Sequence, residues 1–274
     1  MADGERLSLP APGTLLAGQI AYHARVLLRT PRAVVGGMLL PVILLLLRAR
    51  STHVSSAQQA AVVAGLTTFG ALSTAYVTHA ASLIAARQAG ILKRWRATPV
   101  PPWCFFAGRI AATALLAATG GLLTAVIGGW NDRLALSAAG LAELAGILLL
   151  GAGVWASVGT AVSALIPTVE SAWPLLGLTS LPVVILSGSF GSVSKEPGWL
   201  TTVIAYLPVQ PVIHAASNVL HAGGGPLMSM HDLGVLLAWA AGGLLVSQRY
   251  FRWEPHRPGR RRADRRAAAT PPHP

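Results

Sequence analysis

The chain has 274 residues, of which 53% are apolar and only 11% charged, and its mean hydropathy is +0.57. A water-soluble domain carries about 25% charged residues, so composition excludes a soluble globule, and the same apolar excess excludes disorder over most of the length. A net charge of +12 would point to nucleic acid if position were ignored, but half of it lies in residues 249–274, where eight Arg accompany only Glu254 and Asp264. A single cysteine, Cys104, excludes an internal disulfide or a cysteine-held metal cluster.

Residues 1–13 are expected to be disordered, and the membrane domain to run over residues 14–253. Residues 14–30 place Leu15, Leu16, Ile20, His23, Leu27 and Leu28 at near-helical spacing, with Arg25 and Arg29 on another face and Pro31 as a stop. This predicts an amphipathic helix lying in the membrane interface; the alternative is a plain continuation of the first span. A membrane helix needs about 20 mostly apolar residues. Between charged residues the chain offers the runs 33–47, 51–86, 110–131, 144–169, 171–194 and 233–248, which predict six spans at about 33–49, 57–86, 108–130, 141–166, 172–190 and 232–248.

The first run is short and holds Gly36, Gly37 and Pro41, so it spans by borrowing Leu27 and Leu28 or by letting Arg48 snorkel to the interface. The polar stretch before it does not fit a cleavable signal peptide. The sixth run is also short, but Trp239, Tyr250 and Trp253 supply interfacial anchors.

Two other segments interrupt the pattern. Residues 87–109 form a basic loop without an acid, in which 91–96 reads as a short helix with Ile91, Leu92 and Trp95 as its apolar face and Lys93, Arg94 and Arg96 as its charges. Pro99, Pro101 and Pro102 end it sharply. Such an element suits docking to another protein; the alternative is a loop that merely sets topology. Residues 197–231 are uncharged but split by Pro208 and Pro211 and broken at 223–226. Backbone interrupted this way cannot face lipid alone, so a pair of interfacial or re-entrant helices packed on the bundle is expected.

Six spans put both termini on one side. Of the 21 Lys and Arg, 17 then lie on the side of the termini and 4 on the other, which predicts cytoplasmic termini. The tail, residues 254–274, reads as a disordered basic anchor for anionic lipid; it holds no folded module or base-stacking aromatics, so nucleic acid is not an expected partner.

The loop residues Gln88, Gly90-Ile91-Leu92, Lys93-Arg94-Trp95-Arg96 and Ala97-Thr98-Pro99 resemble the first cytoplasmic loop of ABC-2 type transporter permeases, the membrane subunits of drug and natural-product exporters, including those similar to daunorubicin-resistance permeases. Gln88 stands where that family often has Glu, and Ile91 where Thr is usual. Arg29-Thr30-Pro31, Leu186-Ser187-Gly188, Pro197-Gly198-Trp199-Leu200 and Tyr206-Leu207-Pro208 extend the likeness over roughly residues 15–253.

The resemblance implies an all-α integral membrane protein of six transmembrane helices, with an N-terminal interfacial helix, a short cytoplasmic coupling helix, and re-entrant outer helices before the last span. It implies a cell-membrane exporter that acts in efflux or antibiotic resistance, without catalytic residues of its own. A separate ABC ATPase would hold ATP and Mg, and two copies of this chain would pair with two ATPases. The sequence agrees in having no phosphate-binding loop: residues 65–70 have the glycine spacing, but Ala71 and Leu72 follow. Arg87, Gln88, Gly90, Ile91, Leu92, Lys93, Arg94, Trp95, Arg96 and Pro99 are the candidate coupling residues.

Ionisable groups inside spans default to functional candidates. His79, Glu143 and Ser187 are candidates for a translocation path; a backbone hydrogen bond for His79 and simple solvation for Glu143 are the alternatives. His214, His221 and His231 lack metal-site spacing. A polysaccharide or lipid exporter of the same family, a non-transporting membrane protein and an intramembrane enzyme are the competing functions; the last needs polar groups facing one another within spans, and these are scarce.

Overall fold

A computed structural model describes residues 11–30, 35–47, 55–132, 134, 136–186, 198–221 and 227–251. All regular structure among them is helical. Helix α1, Pro12–Leu28, starts on a proline, which suits the first helical position. It buries Gln19, His23 and Leu27 along one face while leaving Tyr22, Val26 and Leu28 exposed. Helix α2 opens with a π-helical turn, Val35–Leu39, and continues as Leu40–Leu47. Helix α3, Ser56–Gln88, is capped by the Ser55 hydroxyl, which accepts from the Gln58 N–H at 3.3 Å. A short α4, Ile91–Arg96, leads to α5, Pro102–Asp132. Then follow α6, Ala138–Leu165, α7, Val169–Leu186, α8, Gly198–Ala205, α9, Gln210–Leu220, and α10, Met230–Tyr250. A reciprocal cap between Ser229 and Asp232 starts α10.

Four of these helices, α3, α5, α6 and α10, are long and apolar enough to cross a membrane. Helix α3 is the axis of the bundle: 72% of its most apolar stretch is buried, against 17% for α10 at the rim. The expected first and fifth spans correspond to α2 and α7, whose described parts stop at Leu47 and Leu186. Ser187, the break at 223–226, residues 1–10 and the basic tail lie outside the described residues. Exposed Leu46, Leu115, Leu123, Leu178, Leu237 and Leu245 give the bundle an apolar outer surface.

In the broken segment before α10, two short helices are formed, and the second packs on the bundle. Helix α9 buries Val212, Ile213, Ala216 and Leu220 against α3 and α6. The carbonyls around its prolines find indole partners: Trp155 Nε1 donates to Pro208 O at 3.2 Å, and Trp239 Nε1 donates to Tyr206 O at 2.9 Å.

Sequence periodicity gave no sign of the π-helical segment within α3, Ser73–Thr78. It sits at and beside points where neighbouring backbones approach closely. A Cβ on Gly70 would lie 2.8 Å from both Gly37 O and Pro41 Cγ of α2, and one on Gly159 of α6 would lie 3.0 Å from Tyr76 O. The Tyr76 hydroxyl also shares a 2.8 Å hydrogen bond with Thr179 of α7. Three helices therefore meet one irregular turn, a type of feature often found at functional sites.

Gly70→Ala should lower stability by about 1–3 kcal/mol through overpacking, read as thermal unfolding in detergent. Gly146→Ala, whose Cβ meets nothing within 4 Å, should leave it unchanged or slightly raised. Equal melting of the two variants would contradict the close crossing.

Candidate coupling site and the cavity beside it

The end of α3 is set by Ala89 and Gly90. Gly90 is the one glycine at positive φ among the described residues, at +70°, a left-handed conformation that favours residues without a Cβ. The chain reverses there into α4. In that helix Leu92 is fully buried and Trp95 half-buried, while Ile91, Lys93, Arg94 and Arg96 are exposed. The expected apolar face is thus divided: Leu92 and Trp95 pack inward, while Ile91 is 42% exposed beside the basic surface and also borders the cavity described below. The Thr98 hydroxyl donates to Trp95 O at 2.7 Å, closing the helix before exposed Pro99.

Aromatic rings hold the inner side. Trp95 lies 5.6 Å from Tyr22, 6.4 Å from His23 and 5.4 Å from Phe105, centroid to centroid. The Tyr22 pair is edge-on and the other two are tilted; an edge-to-face aromatic pair contributes about 0.5–1.5 kcal/mol beyond its buried area. These contacts join α4 to α1 and to the start of α5, and Phe106 extends the chain of rings to Phe251 at 4.9 Å.

Arg87 requires a correction. Read from sequence as the first residue of an exposed loop, it is only 4% exposed. Its Nη1 donates to Ser163 O at 2.9 Å, and its Nη2 donates to Ile166 O and, at 3.4 Å, to Pro167 O. Pro167 prevents α6 from continuing, so the last carbonyls of that helix lack amide partners. A cation at a helix C-terminus also meets the favourable end of the dipole. The adjacent Gln88 Oε1 accepts from the Val169 N–H at 3.3 Å, the first amide of α7. Two consecutive side chains at the end of α3 therefore grip both sides of the α6–α7 turn.

Of the three candidate path residues, His79 and Glu143 lie within the described residues, and they are not brought together. His79 is 1% exposed, with Nδ1 2.9 Å from Thr113 Oγ1 and Nε2 3.0 Å from Thr160 Oγ1. Because the Thr160 hydroxyl donates to Ala156 O at 2.8 Å, it accepts from the histidine, which assigns the ring proton to Nε2. His79 is a satisfied strut among α3, α5 and α6. Glu143 is exposed on the outside of α6, and Ser187 is outside the described residues.

Sequence reasoning missed Arg109 and His23. Helix α5 begins at Pro102 rather than near 108, which moves Arg109 from the loop into its second or third turn. There Arg109 is 8% exposed and its Nη2 donates to Ser82 Oγ at 2.7 Å. Gly108 makes room for α1: its Cβ would lie 2.4 Å from Gln19 Cβ. Tyr22, His23, Ser82, Trp95, Phe105 and Arg109 are among the residues lining a cavity of about 340 Å³ beside α4. Burial, and then the charge of Arg109, push the His23 pKa down to about 3, so its ring is neutral. A lone Arg among small and aromatic residues was the available signal.

A family model described as ABC-2 type transporter matches residues 21–220, from within α1 to the end of α9. A comparison with curated proteins finds no match.

The neutral His23 gives a pH dependence. Its folded-state pKa lies below the ordinary 6.5, so below that value the unfolded chain takes up a proton that the folded site refuses. Stability then falls as pH drops from 6.5 towards 3, by up to about 1.4 kcal/mol per pH unit. Between pH 7 and 5 the wild type should lose about 2 kcal/mol more than His23→Gln, measured by chemical or thermal unfolding. Identical losses in the two proteins would refute the assignment.

Proposed function

The chain belongs to the ABC-2 type transporter family, a multi-pass membrane protein by its apolar helices, and from that premise we propose that it is the permease subunit of an exporter driven by a separate ABC ATPase. The exported molecule in this reading is a hydrophobic drug or natural product, as for daunorubicin-resistance permeases. Helices α2, α3, α5, α6, α7 and α10 are the six spans, α1 lies in the inner interface, and α8 and α9 are the outer re-entrant pair. Both termini are cytoplasmic, the membrane is the cell membrane, and two permeases pair with two ATPases that bind ATP and Mg.

The observation that carries this reading is α4. Its exposed surface is Ile91, Lys93, Arg94 and Arg96, and its inner surface is pinned by Leu92 and Trp95. A short basic knob rigidly backed by the bundle can be pushed without being peeled away. Rocking of the ATPases would move α4, and Arg87 with Gln88 would pass that displacement to the α6–α7 turn. Such a step needs contacts that differ between two states of the assembly.

Reversing the outer charges with Lys93→Glu, Arg94→Glu and Arg96→Glu should abolish co-purification with the cognate ATPase and reduce ATP-driven efflux by about tenfold or more. Because these side chains are exposed, the melting temperature should not change. If association and efflux both survive, α4 is not the docking element. Arg87→Gln should act differently: the ATPase still binds, while efflux per ATP hydrolysed falls. The variant also loses about 1–3 kcal/mol of stability from the uncapped α6 carbonyls.

A further inference from the structure

The cavity beside α4 is walled by α1, the last turns of α3, the inner face of α4, and the starts of α5 and α7. At roughly 30 Å³ per water, its 340 Å³ exceeds what one or two structural waters need. Most of the wall is apolar, with Ile91, Trp95, Phe105 and Trp173 as its large side chains. Its polar end is unusual. Arg109 is more than nine-tenths buried, makes one hydrogen bond, to Ser82, and leaves Nε without a partner. His23 Nε2 is likewise buried and unpartnered. No Asp or Glu lines the cavity, and Arg109 forms no ion pair among the described residues.

A buried guanidinium without a counter-charge is costly, and ionisable groups retained at such depth mark ligand sites. Its planar donors match a carboxylate or a phosphate. The aromatic and aliphatic wall fits an alkyl or ring body attached to that head. Position agrees with the chemistry, because α1 is amphipathic and the cavity lies between it and the spans, at the depth where head groups meet acyl chains.

We propose that this cavity binds an amphiphile with a single oxyanion head group, carboxylate or phosphate, with Arg109 as the head-group receptor and Trp95 and Phe105 against the apolar body. The ligand is either a freely diffusing amphiphilic acid or an anionic lipid of the inner leaflet. Leu92 and Trp95 form part of the wall, so occupancy bears directly on α4. The binding claim concerns the permease alone; only its consequence for transport rests on the exporter reading.

The test uses the purified full-length chain in dodecyl maltoside, with lauric acid and dodecyl phosphate as probes and dodecanol and dodecylammonium as controls. Tryptophan fluorescence and melting temperature are the readouts. The two acids should bind saturably and raise the melting temperature, with half-saturation at least tenfold below that of dodecanol. Arg109→Gln should abolish that preference, while Arg109→Lys, which keeps the charge, should retain part of it. If Arg109→Gln does not fold, Arg109→Lys and the comparison of charged with neutral probes on the wild type decide the matter. Equal binding of laurate and dodecanol, or a preference unchanged in the variants, overturns the site and leaves a hydrated vestibule.

Repeating the laurate titration in phosphatidylglycerol and phosphatidylcholine nanodiscs separates the sources. Competition by phosphatidylglycerol assigns the site to lipid, and its absence to a diffusing acid. Retained laurate selectivity with efflux unaffected by the α4 charge reversal would leave the cavity standing and remove the coupling assignment. Lost selectivity with efflux abolished by that reversal would do the opposite.

Discussion

Within a bilayer every peptide N–H and C=O must find its partner inside the protein, and the places where these helices stop or bend are where side chains meet that demand. Helix α6 stops at Leu165 because Pro167 follows, and the carbonyls left over are taken by Arg87 from α3. The chain between α8 and α9 breaks at Pro208, and Trp155 and Trp239 donate to the freed carbonyls. In each case the donor belongs to a different helix. Satisfying the backbone at an irregular point therefore also fixes how two helices sit against each other.

The same logic explains the rigidity of α4. A helix of six residues has little stability of its own, since nucleation costs more than so few hydrogen bonds return. It persists because Leu92 is fully buried and Trp95 is set among Tyr22, His23 and Phe105. Its outward charges contribute nothing to this anchoring. The contacts that hold the helix and the charges it exposes thus lie on opposite faces of one short element, so the exposed charges can change without disturbing its anchoring.

Hydropathy runs were enough to place α3, α5, α6 and α10, because length and apolarity are what a membrane selects. They were not enough to separate the arginines. Arg87, Arg94 and Arg109 look alike as positive charges flanking a loop, yet Arg94 is exposed and the other two are buried. What distinguishes them is helix phase and where α5 starts, and a proline at its first turn hid that start within what looked like a loop. The π-helical turn at Ser73–Thr78 was illegible for another reason. No glycine or proline lies within it; it arises where Gly37 and Gly159 let two other backbones press on α3, which is a property of the assembled bundle. Likewise, nothing local marks the Thr113 and Thr160 hydroxyls as partners of His79.

Gly90 turns these observations into a mechanical statement. With φ at +70° it ends α3 before α4 begins, so a displacement of α4 cannot travel along a continuous helix. Side chains must carry it, and two routes exist. One runs back through Arg87 and Gln88 to the α6–α7 turn; the other runs through Leu92 and Trp95 to α1 and the start of α5. The cavity containing Arg109 lies between those routes and touches both, with Val169 on one wall and Phe105 on another. A ligand there and a protein pressing on α4 would bias the same small set of contacts. Linkage then requires that each alter the affinity of the other by the same factor. Recognition of a head group and engagement of the ATPase would in this arrangement be two readings of one local geometry.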